Sequence, residues 1–286
     1  MTLFLVPTPI GNLEDITLRA LRVLREVPLI AAEDTRTTGV LLRHYGIETR
    51  LTSYHDHNRT SKLGVLLAAL AEGDVALVSD AGTPGISDPG FELVAAAIAR
   101  GVRVEALPGA NAAITALVAS GLHAEAFTFV GFLPRKAKAL HDALTALAAR
   151  PETLIAYESP NRLADLLATA AAVFGPERGV CVARELSKVY EEYQRGPLYA
   201  VHAHYTAHPP RGECVVLFAG APPAAAEAWS EAQLDAALHA RLTAGESVRD
   251  AARALAAETG WDRRAVYARA LAVREGTHGA AHDGDG

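Results

Sequence analysis

Residues 75–90, VALVSDAGTPGISDPG, run from four apolar residues into a segment holding three glycines, two prolines and two aspartates, and then into a helical pattern. An ordinary reverse turn needs one Gly or Pro, so this density marks something other than a change of direction. In open α/β folds, ligands sit at the carboxyl ends of strands, where small residues let the backbone come close and leave its amides free. The segment therefore predicts a ligand cradle at the end of a buried strand. Neither GxxxxGK[ST] nor GxGxxG is present, which disfavours nucleoside triphosphate and nicotinamide chemistry. The expected ligand has ribose hydroxyls and a zwitterionic end, with Asp80 as a polar partner and Ser87 and Asp88 as a lid at the helix start.

The rest of the chain supplies the frame for such a cradle. Short β-rich runs at 3–7, 74–79, 102–107 and 153–158 alternate with helical patterns. Leu18, Leu21, Leu24 and Val27 recur at helical spacing, and so do Leu63, Leu66, Leu67 and Leu70. The alternation predicts an α/β protein with a largely parallel sheet. An aromatic strand and turn, FTFVGFLPRK, starts a second series, so one α/β domain is expected over 1–122 and another over 123–221. GAPPAAAEA reads as a linker. A helical unit of helix-turn-helix type is expected over 228–275, followed by a disordered tail at 276–286.

With 286 residues, half of them hydrophobic, the chain can bury a sizeable core. Its net charge of −6 argues against a protein that coats nucleic acid, which needs many Lys and Arg contacts to phosphate, and leaves room only for local basic patches. Cys181 and Cys214 lie in apolar runs, the pattern of buried thiols in a reducing cytoplasm. No apolar stretch approaches the roughly 20 residues of a membrane span. MTLFLVPTPIGN lacks a basic leader and reads as a first strand.

Two further segments share the grammar of strand, turn and helix, with a Pro-Gly turn in one and a Pro-Ile-Gly-Asn turn in the other. LPGANAAIT at 107–115 contributes Asn111 and Ala112, and TPIGNLEDIT at 8–17 contributes Gly11. For both, the alternative is a packing or connecting role with no ligand. Glu158 and Asn161 flank Ser159-Pro160 at the end of a strand, where a helix cap and a ligand cleft are equally good readings.

Taken together, TPIGNLEDIT, AEDTR at 32–36, SYHDHN at 53–58, SDAGTPGISDPG, LPGANAAITAL, GFLPRK at 131–136, YESPNRL at 157–163 and ARELSK at 183–188 resemble the small-subunit ribosomal RNA methyltransferases of the tetrapyrrole-methylase-like class. The resemblance extends from residue 1 to about 275. It implies a two-domain α/β fold with S-adenosylmethionine bound in the cleft between domains, usually in a homodimer. The implied reaction is 2′-O-methylation of a cytidine in the decoding region of the small-subunit RNA. Implied cofactor contacts are Pro9, Ala81, Gly82, Thr83, Ile86, Asn111 and Ala112, with Glu158 and Leu186 from the second domain. The wider class has an acidic GDP step where this chain has Gly82-Thr83-Pro84, a departure that weighs against a tetrapyrrole substrate.

A ribose hydroxyl is a weak nucleophile and gains from a base, or from a cation facing its developing charge. Candidate bases are Glu33, Asp34 and His55, and candidate cations are Arg36 and Lys136. Glu33 and Asp34 serve equally well as caps of a helix starting near Thr35. His55 and His57 lack a third ligand, so no metal is expected. Arg36, Arg135, Lys136 and Lys138 are the candidate RNA contacts, with a solvated helix start as the alternative for the last three. Between Arg241 and Arg274 seven arginines face four acidic residues, which suits either a nucleic-acid surface or a dimerisation bundle. Two other functions remain open: methylation of a small molecule such as a tetrapyrrole, and a non-catalytic S-adenosylmethionine-binding module of ribosome assembly.

Overall fold

The computed structural model describes residues 1–222 and 229–279, with side chains as far as Arg274. It divides into two compact units, Met1–Ala221 and Pro222–Gly286.

The first unit opens with β1 (Thr2–Leu5), α1 (Leu18–Glu26), β2 (Leu29–Ala32), α2 (Thr35–His44), β3 (Leu51–Ser53), α3 (Arg59–Glu72), β4 (Val75–Val78), α4 (Phe91–Ala99), β5 (Arg103–Ala106) and α5 (Ala112–Ser120). The strands form a sheet in the order β3-β2-β4-β1-β5. All neighbours pair in parallel, as the alternation predicts. β4 is buried along its whole length, because helices cover both faces of a parallel sheet. Leu21, Leu24, Ile30, Ala76 and Val78 share one core, while Leu3, Leu66, Leu70, Leu77 and Leu93 share another on the opposite face. Side-chain oxygens cap α1 and α2: Thr17 accepts from Ala20 N, and Asp34 from Arg36 N.

A second sheet follows, built from β6 (Phe127–Phe132), β7 (Thr153–Glu158), β8 (Gly179–Arg184), β9 (Glu192–Pro197) and β10 (Cys214–Phe218), with α6 (Ala137–Leu147), α7 (Leu163–Phe174) and α8 (Leu198–Ala207) between them. Its order is β6-β7-β10-β8-β9. Only β6 and β7 pair in parallel; β10 is antiparallel to β7 and β8, and β9 is antiparallel to β8. The expectation of a largely parallel sheet is corrected here. Residues 185–191, which join β8 to β9, are too few for a parallel crossover. The sequence of β9, EYQRGP, ends in Gly and Pro and lacks the apolar run of a buried parallel strand.

Alternation along these strands separates two cores. Leu154, Ala156, Val180, Val182, Val216 and Phe218 face α6, α7 and α8, while Ile155, Cys181, Ala183, Val215 and Leu217 pack on Ala113, Ala116 and Leu117 of α5. The helix that closes the first series of elements thus covers one face of the second sheet. Arg195 of β9 secures its far end, donating to the carbonyls of Ala119 (2.6 Å) and Ser120 (3.1 Å).

The second unit contains α9 (Glu231–Thr243), α10 (Val248–Thr259) and α11 (Arg263–Gly279) around a core that includes Leu234, Leu238, Ala251, Leu255 and Val266. A capping box at Ser230 and Gln233 starts α9, and Ser247 caps α10. Arg241, Arg253 and Arg269 are each tied to acidic neighbours, so part of the basic excess read from the sequence is neutralised within the unit. The helix α11 continues to Gly279, past the start assigned to the tail at 276, and the remainder of that tail lies outside the described residues, as does most of the expected linker. Among the described residues no helix is long and apolar enough to cross a membrane.

Candidate functional site

The order β4-β1-β5 brings three loops side by side at the carboxyl ends of their strands. β4 and β5 are not adjacent; β1 lies between them and its loop joins the other two. Thr8 and Gly82 exchange backbone hydrogen bonds of 2.9 Å in each direction. Thr83 Oγ1 donates to the carbonyl of Ala110 at 3.0 Å, tying the second loop to the third. Gly82 has a φ of +81°, which glycine adopts without strain. A Cβ at Gly109 would fall 2.6 Å from Pro7 Cβ, so the close approach of these loops requires glycine there.

A cleft of about 430 Å³ opens on this surface. From the first sheet it is lined by Ile10, Glu33, residues 80–83, residues 86–88, Asn111 and Ala112; from the second, by Phe132, residues 157–160, Leu186 and residues 212–215. Of the cofactor contacts expected from the sequence, Asp80, Ala81, Gly82, Thr83, Ile86, Asn111, Ala112, Glu158 and Leu186 lie in this lining. Pro9 and Gly11 do not; Ile10, between them, does. Gly11 instead backs onto the turn that carries Leu186, where a Cβ would fall 2.6 Å from Leu186 O and from Lys188 Cγ. Glu185 and Ser187, on either side of Leu186, have φ values of 53° and 62°, a left-handed conformation costly for residues with a Cβ.

Glu33 follows β2, and Asp80 follows the adjacent β4. The amide of Asp80 donates to Glu33 Oε2 (3.2 Å) and that of Asp34 to Asp80 Oδ1 (3.0 Å), so the two loops clasp each other through their carboxylates. Burial raises the pKa of both Glu33 and Asp80. Asp88 goes furthest, pushed up to about 6 by burial, although the Ser79 hydroxyl and the Gly85 amide favour its ionised form. Glu158 is 3% exposed and is likewise raised by burial. Its Oε1 accepts from Ser159 N at 2.7 Å, while Oε2 has no hydrogen-bond partner among the described residues and lies 3.2 Å from Arg162 Nη2.

The other candidate residues fall outside the lining. Asp34 caps α2 and pairs with Arg36, which holds its carboxyl down to about 2 and makes it a poor proton acceptor. His55 sits on the loop after β3, its Nε2 3.2 Å from Asn58 Nδ2. Lys136 is the exposed N-cap residue of α6, Arg135 is exposed beside it, and Lys138 pairs with Asp142 at 2.7 Å. Among the described residues no cluster of three His, Cys, Asp or Glu side chains is suited to a metal. Phe132 and Tyr157 lie in motifs already noted, but nothing local marked them as lining; Ser159 and Pro160 belong to the segment for which a ligand cleft is one of two readings, and Asn161 beside them is not in the lining. Residues 212–215 had no sequence signal, because β10 reaches the cleft only through its place in the sheet.

Residues 2–202 match the family model described as Tetrapyrrole (Corrin/Porphyrin) Methylases. A ribosomal RNA small subunit methyltransferase I from Synechocystis sp. is 47% identical over 266 residues, covering 93% of this chain and 95% of the relative. One of the same description from Mesorhizobium japonicum is 47% identical over 289 residues, covering 99% and 95%. The chain belongs to the ribosomal RNA small subunit methyltransferase I family. At the level of fold, the X-ray structure of a cobalamin biosynthetic enzyme, cobalt precorrin-4 methyltransferase, superimposes with a TM-score of 0.60 at 15% identity, over 76% of this chain and 94% of that one. Uroporphyrin-III-C-methyltransferase from Thermus thermophilus gives 0.55 at 22%, over 76% and 93%.

Enzymes of this family use S-adenosylmethionine, and the cleft fits it. Glu33, Asp80, Asp88, Glu158 and Glu213 line the cleft with no Lys, Arg or His among the lining residues. That set suits a ligand carrying sulfonium and ammonium charges. The volume lies in the range of small-molecule sites. Ile10, Ala81, Ile86, Ala112 and Leu186 supply apolar wall.

Proposed function

We propose that this chain transfers a methyl group from S-adenosylmethionine to the ribose 2′ hydroxyl of a cytidine in the decoding region of small-subunit ribosomal RNA. It acts in the cytoplasm, as a homodimer, with 1–122 and 123–221 as the two domains that enclose the cofactor. The observation that carries the reading is a cleft whose charged lining groups are all carboxylates, built from nine expected cofactor positions, in a chain whose relatives of that description match it almost end to end.

The cofactor supplies a methyl group already activated on a positively charged sulfur. Asp80, Asn111 and the loop amides bind and orient it, and the clasp of Glu33 with Asp80 keeps that loop in place. Leu186 and Ile10 help exclude water from the cleft. Positioning of this kind accounts for much of the acceleration of an in-line displacement. Of the three bases expected from the sequence, Glu33 alone lines the cleft, and burial suits it to hold a proton. Asp88 offers a second acceptor. Arg36, Arg135, Lys136 and Lys138 serve RNA phosphates.

The deciding experiment is transfer of labelled methyl from S-adenosylmethionine to small ribosomal subunits lacking the modification, with the product mapped by resistance to alkaline cleavage. Label at one cytidine, with the backbone protected there, is the expected result. Cofactor binding with no label in RNA would favour a small-molecule acceptor or a sensor role.

A further inference from the structure

β6 carries a bulge. Phe129 pairs with Ile155 and Gly131 with Ala156, leaving Val130 as the extra residue, and Gly131 takes a φ of +64°. A bulge of one residue reverses the face to which the following side chains point. Without it Phe132 would fall on the side of Val130, toward α6 and α7. With it, Phe132 pairs with Tyr157, joins the cleft lining, and meets the Tyr157 ring edge-on at 5.6 Å and 63°.

Phe132 is not buried by this arrangement: 60% of its surface is exposed. A large aromatic side chain turned toward a ligand cleft and left uncovered forms a platform. Three and four residues on, Arg135 and Lys136 are exposed, and their side chains make no hydrogen bond or ion pair among the described residues. Arg162 holds this turn in place, donating to the carbonyls of Leu133 (3.3 Å) and Pro134 (3.0 Å), and its guanidinium also approaches Glu158 in the cleft. An aromatic face at the mouth of an acidic cleft, with two exposed cations beside it, matches single-stranded RNA: a base stacks on the ring while the phosphates meet the cations.

The geometry points to Phe132 as the stacking platform for the nucleobase of the nucleotide that enters the cleft, with Arg135 and Lys136 binding its flanking phosphates. This assignment rests on RNA being the substrate. It adds a specificity-determining residue that touches the base, and it gives the β6 bulge a function.

The test measures the Kd of the full chain for unmethylated small subunits and, separately, for S-adenosylmethionine. Phe132→Ala is expected to weaken subunit binding about tenfold, the scale of one lost base stack, and to lower cofactor affinity by a smaller factor. Phe132→Trp and Phe132→Tyr restore subunit binding, whereas Phe132→Leu, which keeps apolar bulk without a π face, does not. Arg135→Ala and Lys136→Ala each reduce the salt dependence of subunit binding by about one phosphate contact. Rescue by Leu as complete as by Trp, or a loss of cofactor affinity parallel to that for subunits, overturns the stacking assignment. A wild-type chain that methylates subunits, with Phe132→Ala binding them equally well, defeats this inference alone; a wild-type chain that transfers no methyl to RNA defeats the reading on which it rests.

Discussion

Asp88 shows how far a residue's chemistry depends on where it is folded. Its carboxyl is pushed up to about 6 by burial, against roughly 3.9 in an unfolded chain. Between those values the folded protein holds a proton that the unfolded chain has released, so this stabilising contribution is complete below about pH 4 and is lost as the pH rises through about 6. Asp88→Asn keeps an acceptor for the Gly85 amide and removes the charge. We expect it to be more stable than the wild type at pH 8, by about 1–3 kcal/mol, with no comparable gain at pH 4. Thermal melts at the two pH values check this, and equal shifts at both would sink it. The same ionisation adds a negative charge to the cleft above pH 6, so cofactor affinity should rise from pH 5 to pH 7.5 in the wild type and less in the variant.

Loops held against one another decide the cleft at the next scale. The turn between β1 and α1 meets the turn after β8 at Gly11, where a methyl group would fall 2.6 Å from Leu186 O and from Lys188 Cγ. The backbone at Leu186 is already held between two residues in left-handed conformations, leaving it little room to retreat. Gly11→Ala should therefore cost about 1–3 kcal/mol, the usual scale of overpacking, and weaken cofactor binding by displacing Leu186. Gly64→Ala is the control: Gly64 lies within α3 with open space around it, and alanine there should stabilise the helix slightly. Denaturant midpoints of the two variants, with cofactor affinities beside them, decide the matter; similar midpoints would mean that the two turns are not tightly fitted.

Over the whole molecule, every residue lining the cleft belongs to Met1–Ala221. The three helices beyond have their own core around Leu234, Leu238, Ala251, Leu255 and Val266. A chain ending at Ala221 should therefore fold and bind S-adenosylmethionine as tightly as the full chain by calorimetry. Failure to bind would mean that the cleft needs residues from the second unit.

Much of this was open to reading in the chain itself. The first sheet follows from strand and helix periods that are local, and the cradle at 80–88 from a density of Gly, Pro and Asp that few structures other than a ligand loop require. Glu33 and Asp34 mark the limit: adjacent in sequence and alike in chemistry, they part only when Asp34 turns to cap α2 and pair with Arg36 while Glu33 reaches the amide of Asp80. The insertion of β10 between β7 and β8, the placing of residues 212–215 in the cleft wall and the turning of Phe132 toward it were decided by tertiary structure alone. Strand order, and the register shift of a single bulged residue, are set by pairing between segments far apart in the chain, and such pairing leaves no mark on either segment read by itself.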